Sequence, residues 1–226
     1  MKLMDPVLTA DRHDVDYEEW YHATRHSNHF NDDYYNARAK IAVDKFFSDI
    51  DKNSRILDYG CGLGQNIYYM PNAAGVDISE YGISFCRKKG INATTNFNEL
   101  PDESFDIVFS AHVLEHHPHP KTMIEEMHRK LKKGHKLILV IPYERHGKTD
   151  YKIDLNQHIF MWNFRAINNL LLTSGFEINE NRYLRGAGYN RLLPLAKINF
   201  GLYRWATNAL SSLMGIKEIM VVATKL

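Results

Sequence analysis

The 226-residue sequence contains only two cysteines, Cys61 and Cys86, too few for a fold held together by disulfides. It has no run of about 18 apolar residues, so we expect no transmembrane helix. Its first residues lack the apolar core of a secretory signal. The formal net charge is only +1, so no overall field attracts nucleic acid. These absences predict a cytoplasmic protein without a nucleic-acid partner.

Apolar residues make up 44% of the chain, which is enough for the core of one domain. From about residue 55 onward, strand and helix patterns alternate, which favours a parallel sheet covered on both faces. We predict strands near 55–59, 73–77, 93–97, 105–110 and 136–141, and a C-terminal pair at 176–184 and 217–225. A helix that opens at Pro120 is predicted to end at Gly134.

The N-terminal 38 residues are polar, yet they carry more aromatic side chains than a solvated arm would. These are Tyr17, Trp20, Tyr21, Phe30, Tyr34 and Tyr35. We predict one or two helices at 1–38, acting either as a lid over a ligand or as an anchor to the core. The main domain is predicted to span 39–226 and to open with a helix at 39–47.

Residues 54–66 join the end of a buried strand to a glycine turn. Asp58 closes the strand, and Gly60, Gly62 and Gly64 can take positive φ and let backbone amides approach a ligand. A helix is predicted after Gly64, with its amides facing that ligand. Asp77 lies 19 residues after Asp58, a spacing typical of the carboxylate that binds a ribose diol. Together these features predict a nucleotide-type cofactor.

The same turn departs from the dinucleotide fingerprint G-x-G-x-x-G, because its glycines stand in the order Gly60-x-Gly62-x-Gly64. The carboxylate of Asp58 would repel a pyrophosphate and attract a ligand that carries an ammonium group. An NAD-dependent oxidoreductase is therefore the weaker alternative. A non-catalytic cofactor-binding module is a second alternative.

Residues Ile56 to Gly64 resemble the first motif of the class I S-adenosylmethionine-dependent methyltransferases. Gly75 to Ser79 is similar to the second motif, and Leu100 to Phe109 with His112 to His116 is similar to the fourth-strand region of the small-molecule branch. The resemblance covers about residues 41–184. It implies a Rossmann-like, doubly wound, seven-stranded sheet with an antiparallel C-terminal strand. It also implies methyl transfer from S-adenosylmethionine to an oxygen or nitrogen of a small molecule, sugar or lipid intermediate, leaving S-adenosylhomocysteine.

The resemblance also implies which residues hold the cofactor. Asp77 would hold the ribose hydroxyls, and Asp58 would lie near the methionine ammonium. The family usually has an acidic residue for the adenine amino group where this chain has Asn96, whose uncharged oxygen is a weaker acceptor. Phe97 either stacks on adenine or belongs to the core. The predicted cofactor-binding set is Asp58, Gly60, Cys61, Gly62, Gly64, Asp77, Ile78, Asn96, Phe97, Ala111 and His112.

A histidine-rich stretch begins at His112, which is predicted to lie at the carboxyl end of the fourth strand. His112-x-x-Glu115-His116 matches an inverted zinc-protease pattern, but Pro118 and Pro120 break the helix that such a site needs. Ubiquinone-biosynthesis O-methyltransferases resemble this stretch with Glu-x-x-Glu-His, which can hold a divalent cation; this chain has His112 in place of the first Glu. We predict no metal, and leave open a cation held by these residues.

Methyl transfer to oxygen or nitrogen requires the acceptor to lose a proton, which histidine can take near neutral pH. His112 is one candidate base. His158 is the other, in a polar and aromatic loop at 154–162 that is predicted to follow the fifth strand. Spacing does not separate the two, and a pocket that only aligns the acceptor is the alternative. His117 and His119 are predicted to be solvent-facing loop residues.

Residues 185–214 are predicted to be a helical insertion between the last two strands, with one helix from Pro194 to about Met214. Its apolar face comprises Leu195, Ile198, Leu202, Trp205, Ala209 and Leu213. From residue 185 onward the chain has six basic residues and one acidic residue, a net charge of +5. We expect the apolar face to cap the substrate pocket or to pack in a homodimer, with the protein a monomer or homodimer. The alternative is a weak peripheral membrane contact through 194–214.

Overall fold

The computed structural model describes residues 18–25, 27–144, 158–186 and 188–226. Within these residues, seven strands form one sheet in the order β3-β2-β1-β4-β5-β7-β6. β1 to β5 pair in parallel, and β7 is antiparallel to both of its neighbours. The predicted doubly wound, mostly parallel sheet with an antiparallel C-terminal strand is confirmed. Tyr17 and the loop segment 154–157 lie outside the described residues.

Every predicted strand is present, with bounds that differ by a few residues. The strands are β1 (Ile56–Tyr59), β2 (Ala73–Val76), β3 (Asn92–Thr94), β4 (Phe105–Ala111), β5 (Leu131–Pro142), β6 (Phe176–Leu184) and β7 (Glu218–Lys225). The α-helices are α1 (Glu19–Arg25), α2 (Asp32–Phe46), α3 (Glu80–Lys88), α4 (Pro120–Lys130), α5 (Phe164–Leu172), α6 (Leu193–Ile198) and α7 (Phe200–Leu213).

The sheet has a core on each face because its strand side chains alternate between the two sides. In β1, Ile56 and Leu57 are both fully buried, but they belong to different core clusters. One cluster includes Met123 of α4 and Ile167 of α5, while the other includes Ile83 of α3. Helices therefore cover both faces, and ligand-binding loops remain at the carboxyl ends of the parallel strands.

The N-terminal helix α2 packs against the glycine turn and does not extend into solvent. α2 begins at Asp32, capped by the side chain of Asn31, so the predicted boundary at residue 38 lies inside this helix. Tyr35 of α2 is fully buried, and its hydroxyl donates a hydrogen bond of 2.9 Å to the carbonyl oxygen of Leu63. Part of the predicted N-terminal extension thus belongs to the core.

Two predictions about helices in the first two thirds of the chain were wrong. No helix follows Gly64; instead, the amides of Gly64, Ile67 and Met70 each bond the carbonyl three residues earlier, in successive turns. Pro71 disfavours helical backbone at the residue before it. The helix from Pro120 ends at Lys130, because the chain enters β5 at Leu131. Gly134 lies within β5 at φ +75°, where the register with β4 shifts, as in a β-bulge.

The predicted single helix of the C-terminal insertion is broken at Asn199. This residue is extended (φ −156°, ψ 118°), and its side chain accepts a hydrogen bond from the Leu202 amide, capping α7. The structure therefore has two helices, with Pro194 in the first turn of α6. Across the described part of the chain, no helix is both long and apolar enough to cross a membrane.

Candidate active site

The glycine turn lies at the carboxyl end of β1 and adopts a backbone that only glycine accommodates without strain. Gly60 has φ +78°, and a Cβ atom there would lie 2.2 Å from Cγ2 of Val113. Gly62 has φ +53°, but the nearest atom to an added Cβ is Cε1 of His22 at 3.9 Å. Close packing therefore explains Gly60. At Gly62 an added Cβ would only touch His22 at an ordinary van der Waals distance, so the positive φ rather than crowding explains this glycine.

Asp77 follows β2 and is fixed against this turn. One carboxylate oxygen accepts the amide of Gly62 at 2.7 Å, and the other accepts the amide of Ser79 at 3.0 Å. Each carboxylate oxygen has two lone pairs, so both can accept a second hydrogen bond. The side chain is thus oriented beside the open face of the turn, where it could bind a diol.

Asp58 is fully buried at the end of β1. Within the described residues, no donor lies in good hydrogen-bond geometry with either carboxylate oxygen, although the side chain of Asn66 is close enough to lower the pKa of the carboxyl group. Burial, and then the nearby carboxylate of Asp77, raise the pKa of Asp58 to about 8, against the opposing effect of the Asn66 side chain. A buried carboxyl group without a donor is costly. It fits a ligand that brings an ammonium group to this position.

Other predicted cofactor residues near the turn differ in how far they are exposed. Ile78, next to Asp77, is 74% exposed, and it offers an apolar surface beside that carboxylate. Ala111 is half-buried at the end of β4. Cys61 is buried, and the neighbouring Cys86 thiol together with burial raises the pKa of the Cys61 thiol well above its usual value. The buried thiol of Cys61 is therefore not exposed to a ligand.

Asn96 and Phe97 do not extend β3, which ends at Thr94. The side-chain oxygen of Asn96 accepts the amide of Asn98 and so caps a short 3₁₀ turn. The ring of Phe97 lies 5.6 Å from that of Tyr59, with the ammonium of Lys130 4.5 Å from its centroid. These contacts favour the core interpretation of Phe97 over stacking on a ligand.

Helix α1 also reaches the glycine turn, which the sequence did not predict in detail. Glu18 accepts the backbone amides of Glu80 at 3.0 Å and Tyr81 at 2.9 Å, and so caps α3. His22 is buried, with Nε2 3.3 Å from the hydroxyl of Ser79. Burial lowers the pKa of His22. These contacts hold α1 over the start of α3, beside Gly62.

A second group of polar side chains begins with His112, directly after β4. His112 has φ +59°, which is rare for a residue other than glycine. Its Nε2 lies 2.9 Å from a carboxylate oxygen of Glu218, and its Nδ1 lies 3.5 Å from one of Glu115. Burial alone would lower the pKa of His112, but the two carboxylates outweigh it and raise the pKa to about 9. Near neutral pH this ring is a cation.

Glu115 brings two further histidines together. It is buried, and in the described ranges neither carboxylate oxygen has a hydrogen-bond donor. Nε2 of His116 lies 3.9 Å and Nε2 of His158 lies 4.0 Å from the same oxygen of Glu115. Nδ1 of His158 is hydrogen-bonded to Glu144. The ligand atoms of Glu115, His116 and His158 all lie within 4.8 Å of one another, so the three could also hold a metal ion.

Both predicted bases thus lie in one cluster, together with three acidic residues that sequence reasoning missed as partners. Glu115 was noted only in the histidine motif, and Glu144 gave no signal. Glu218 is the only acidic residue after residue 185, which was the one available hint. Its second carboxylate oxygen forms an ion pair with Lys45 of α2. His119, by contrast, is exposed and outside the cluster.

Comparison with known proteins identifies a matching family and a related plant enzyme. A family model described as "Methyltransferase domain" matches residues 25–181, more than half of the chain. Phosphoethanolamine N-methyltransferase 3 of Arabidopsis thaliana is 28% identical over 154 residues, which are 59% of this chain and 31% of that protein. The matched region therefore spans about a third of the plant enzyme.

Two solved structures share the fold. Phosphoethanolamine N-methyltransferase 2 of Haemonchus contortus, in complex with phosphomonomethylethanolamine and S-adenosylhomocysteine, aligns with a TM-score of 0.63 and 17% identity, over 94% of this chain and 60% of that one. A S-adenosylmethionine-dependent methyltransferase of Thermotoga maritima aligns with a TM-score of 0.59 and 18% identity, over 92% and 99%. At these identities, the likenesses show the fold alone.

Proposed function

The chain belongs to the family of S-adenosylmethionine-dependent methyltransferases, and we propose that it methylates a nitrogen or oxygen atom of a small-molecule, sugar or lipid-intermediate acceptor. The observation that carries this proposal is the buried carboxyl group of Asp58, which lies without a donor from the described residues beneath an open glycine turn and beside Asp77. The plant relative, named for methylation of a small amine, supports a small acceptor.

We propose the following roles in cofactor binding. Asp58 pairs with the methionine ammonium, Asp77 accepts hydrogen bonds from the ribose hydroxyls, and the exposed Ile78 packs on the adenine. The backbone of the turn at Gly62 approaches the cofactor closely, because this residue has no side chain of its own and the nearest atom to an added Cβ is Cε1 of His22 at 3.9 Å. When bound, S-adenosylmethionine supplies a methyl group activated by its sulfonium. The remaining tasks of the chain are to align the acceptor and to remove its proton.

For the proton, the structure favours His158 over His112. Both ring nitrogens of His112 lie within 3.5 Å of a carboxylate oxygen, and its pKa is raised to about 9, so it is a poor proton acceptor near neutral pH. His158 also has two carboxylate neighbours, but its Nε2 lies 4.0 Å from Glu115, beyond hydrogen-bond distance. His158 bonds Glu144 through Nδ1, which leaves Nε2 as the acceptor in the neutral tautomer. The nearby carboxylate of Glu115 would stabilise the imidazolium that forms. We therefore propose His158 as the general base and His112 as a positively charged part of the pocket wall.

A panel of acceptors tests the proposed reaction directly. The protein is incubated with S-adenosylmethionine and amino alcohols, sugars or lipid intermediates, and mass spectrometry is used to find acceptors that gain one methyl group. Any methylated product supports the proposal. Binding of the cofactor without product from any class would favour the non-catalytic module, and binding of NAD in its place would favour the oxidoreductase.

Asp77→Ala should weaken S-adenosylmethionine binding by about one to two decades, because loss of a charge-assisted hydrogen bond costs about 1.5–3 kcal/mol. Isothermal titration calorimetry measures the change. Asp49→Ala, at an exposed aspartate outside the site, is the matched control. Asp77 also bonds two backbone amides, so the melting temperature must be compared and Asp77→Asn tested as well. Unchanged affinity in both folded variants would contradict the assignment.

Removal of metal should leave turnover unchanged if His158 acts as a base. Added Zn²⁺ should inhibit, because it would bind Glu115, His116 and Nε2 of His158 and so block the proton acceptor. The measurement is turnover after dialysis against a chelator, and then with added Zn²⁺ or Mn²⁺. Activity lost on chelation and restored by one cation would show that the prediction of no metal is wrong.

A further inference from the structure

Helix α7 faces the solvent with its apolar side. The buried residues on this helix are Tyr203, Thr207 and Ser211, two of which are small and polar. Leu202, Trp205, Ala209 and Leu213 follow one another at intervals of three or four residues and share the other side. Trp205 is 69% exposed and Leu213 is 86% exposed. If α7 served only to fill the core, its apolar side would be buried and its small polar side chains would face the solvent.

The exposed apolar side chains continue beyond both ends of α7. We use "the α7 surface" for Ile198, Leu202, Trp205, Leu213, Met214 and Ile216, all of which are exposed large hydrophobic residues. Single exposed apolar residues are ordinary, but a series of six along one helix and its ends marks an interaction site. The prediction that this face caps the substrate pocket is not supported by such exposure, since a side chain that covers a pocket is itself partly covered.

Basic side chains border the α7 surface. Arg185 donates a hydrogen bond of 2.9 Å to the hydroxyl of Ser212 on α7, and Arg191 lies in the 3₁₀ turn before α6. Lys217 follows Ile216 in sequence, and its ammonium packs against the rings of Tyr143 and Tyr183. Within the described residues, these three cations form no ion pair, whereas Lys197 and Arg204 pair with Asp33 and Asp44. The border therefore carries net positive charge.

The positive charge of this border distinguishes between two possible partners of the α7 surface, a second copy of the chain and a lipid bilayer. A second copy of the chain, docked by a two-fold axis, would bring the same basic border against itself. An anionic bilayer would attract that border and bury Trp205 and the aliphatic side chains at its interface. We propose that the α7 surface binds the anionic surface of a lipid bilayer.

The α7 surface is connected to the histidine cluster through a short chain of contacts. The residue after Arg185, Gly186, accepts a hydrogen bond from Lys45 through its carbonyl oxygen at 3.1 Å. Lys45 forms an ion pair with Glu218, which in turn bonds His112. These contacts connect the segment that packs on α7 to the histidine cluster. On the basis of the proposed function, we infer an acceptor carried by the bilayer among the small molecules, sugars and lipid intermediates considered.

Flotation with vesicles tests the proposal on the complete chain. The protein should float with vesicles of phosphatidylcholine mixed with phosphatidylglycerol, but not with phosphatidylcholine alone, and about 0.5 M salt should release it. Trp205→Ser and Leu213→Ser should each weaken binding by about tenfold. Leu172→Ser is the matched control, because Leu172 is an exposed leucine on α5, outside the α7 surface. It should bind as the parent does.

Failure to float with the anionic vesicles would overturn the proposal. So would binding that ignores salt, or a dimer in sedimentation velocity that Trp205→Ser dissociates while vesicles recruit neither form. Flotation requires no methyl transfer. The proposed bilayer contact and the proposed methyltransferase activity can therefore be tested independently of each other. A protein that binds vesicles but methylates nothing would overturn only the proposed function, and an active enzyme that ignores vesicles would overturn only the bilayer contact.

Discussion

Replacing His158 with alanine should lower the turnover number by about 10²–10⁴-fold and leave the dissociation constant of S-adenosylmethionine nearly unchanged. His158 lies with Nε2 4.0 Å from the buried carboxylate of Glu115 and with Nδ1 bonded to Glu144. Its removal takes away the proton acceptor but no residue of the proposed cofactor site. Single-turnover kinetics with the acceptor found in the screen measure the effect on the chemical step.

Two further histidine variants make this result specific. His119→Ala removes an exposed histidine outside the cluster, and it should keep full activity. His112→Ala should act mainly on the Michaelis constant of the acceptor, because a protonated ring shapes the pocket but takes no proton. Imidazole added to the medium should partly restore His158→Ala. A fully active His158→Ala enzyme would show that alignment alone drives the transfer.

Much of the fold could be predicted because its signals are local. The buried strands that flank the glycine turn, the turn itself and Asp77 lie within about 25 residues of sequence, and each residue type has a direct conformational reason. The helix end expected at Gly134 was wrong because the register of β4 with β5, which exists only in three dimensions, sets where the chain enters β5. The helix expected after Gly64 was wrong for a different reason, since successive turns lead to Met70 and Pro71 disfavours helical backbone at the residue before it.

The different roles of His112 and His158 could not be predicted from the sequence. His112 and His158 could not be distinguished by spacing, because their difference comes from their partners. His112 bonds Glu218, 106 residues away, while His158 bonds Glu144, 14 residues earlier in the chain. Only the folded chain shows that both ring nitrogens of His112 lie within 3.5 Å of a carboxylate oxygen and that its pKa is raised to about 9. The same holds for Asp58, whose position in the motif was clear but whose complete burial was not.

That burial predicts a strong effect of pH on the cofactor. The affinity for S-adenosylmethionine should rise by nearly tenfold per pH unit from pH 6 to 7 and more gently towards pH 8, because Asp58 has a pKa of about 8 before the cofactor binds and must lose its proton to pair with the ammonium. Above pH 8 the gain ends, since Asp58 is ionised and the α-amino group of the ligand begins to lose its own proton. Calorimetry in two buffers of different ionisation enthalpy should show about one proton released at pH 6–7.

Asp58→Asn separates this effect from other titrations. The variant should bind about one to two decades more weakly at pH 8, and its affinity should be nearly flat from pH 6 to 8. The cofactor-free protein gives a second readout, because the pKa of Asp58 is raised above its unfolded value of about 3.9. The stability that this neutral carboxyl contributes is complete below pH 4 and is lost as pH rises towards 8. The melting temperature of the parent should therefore fall relative to that of Asp58→Asn between pH 5 and 8. Parallel pH profiles of affinity for the two proteins would contradict the pairing of Asp58 with the ammonium.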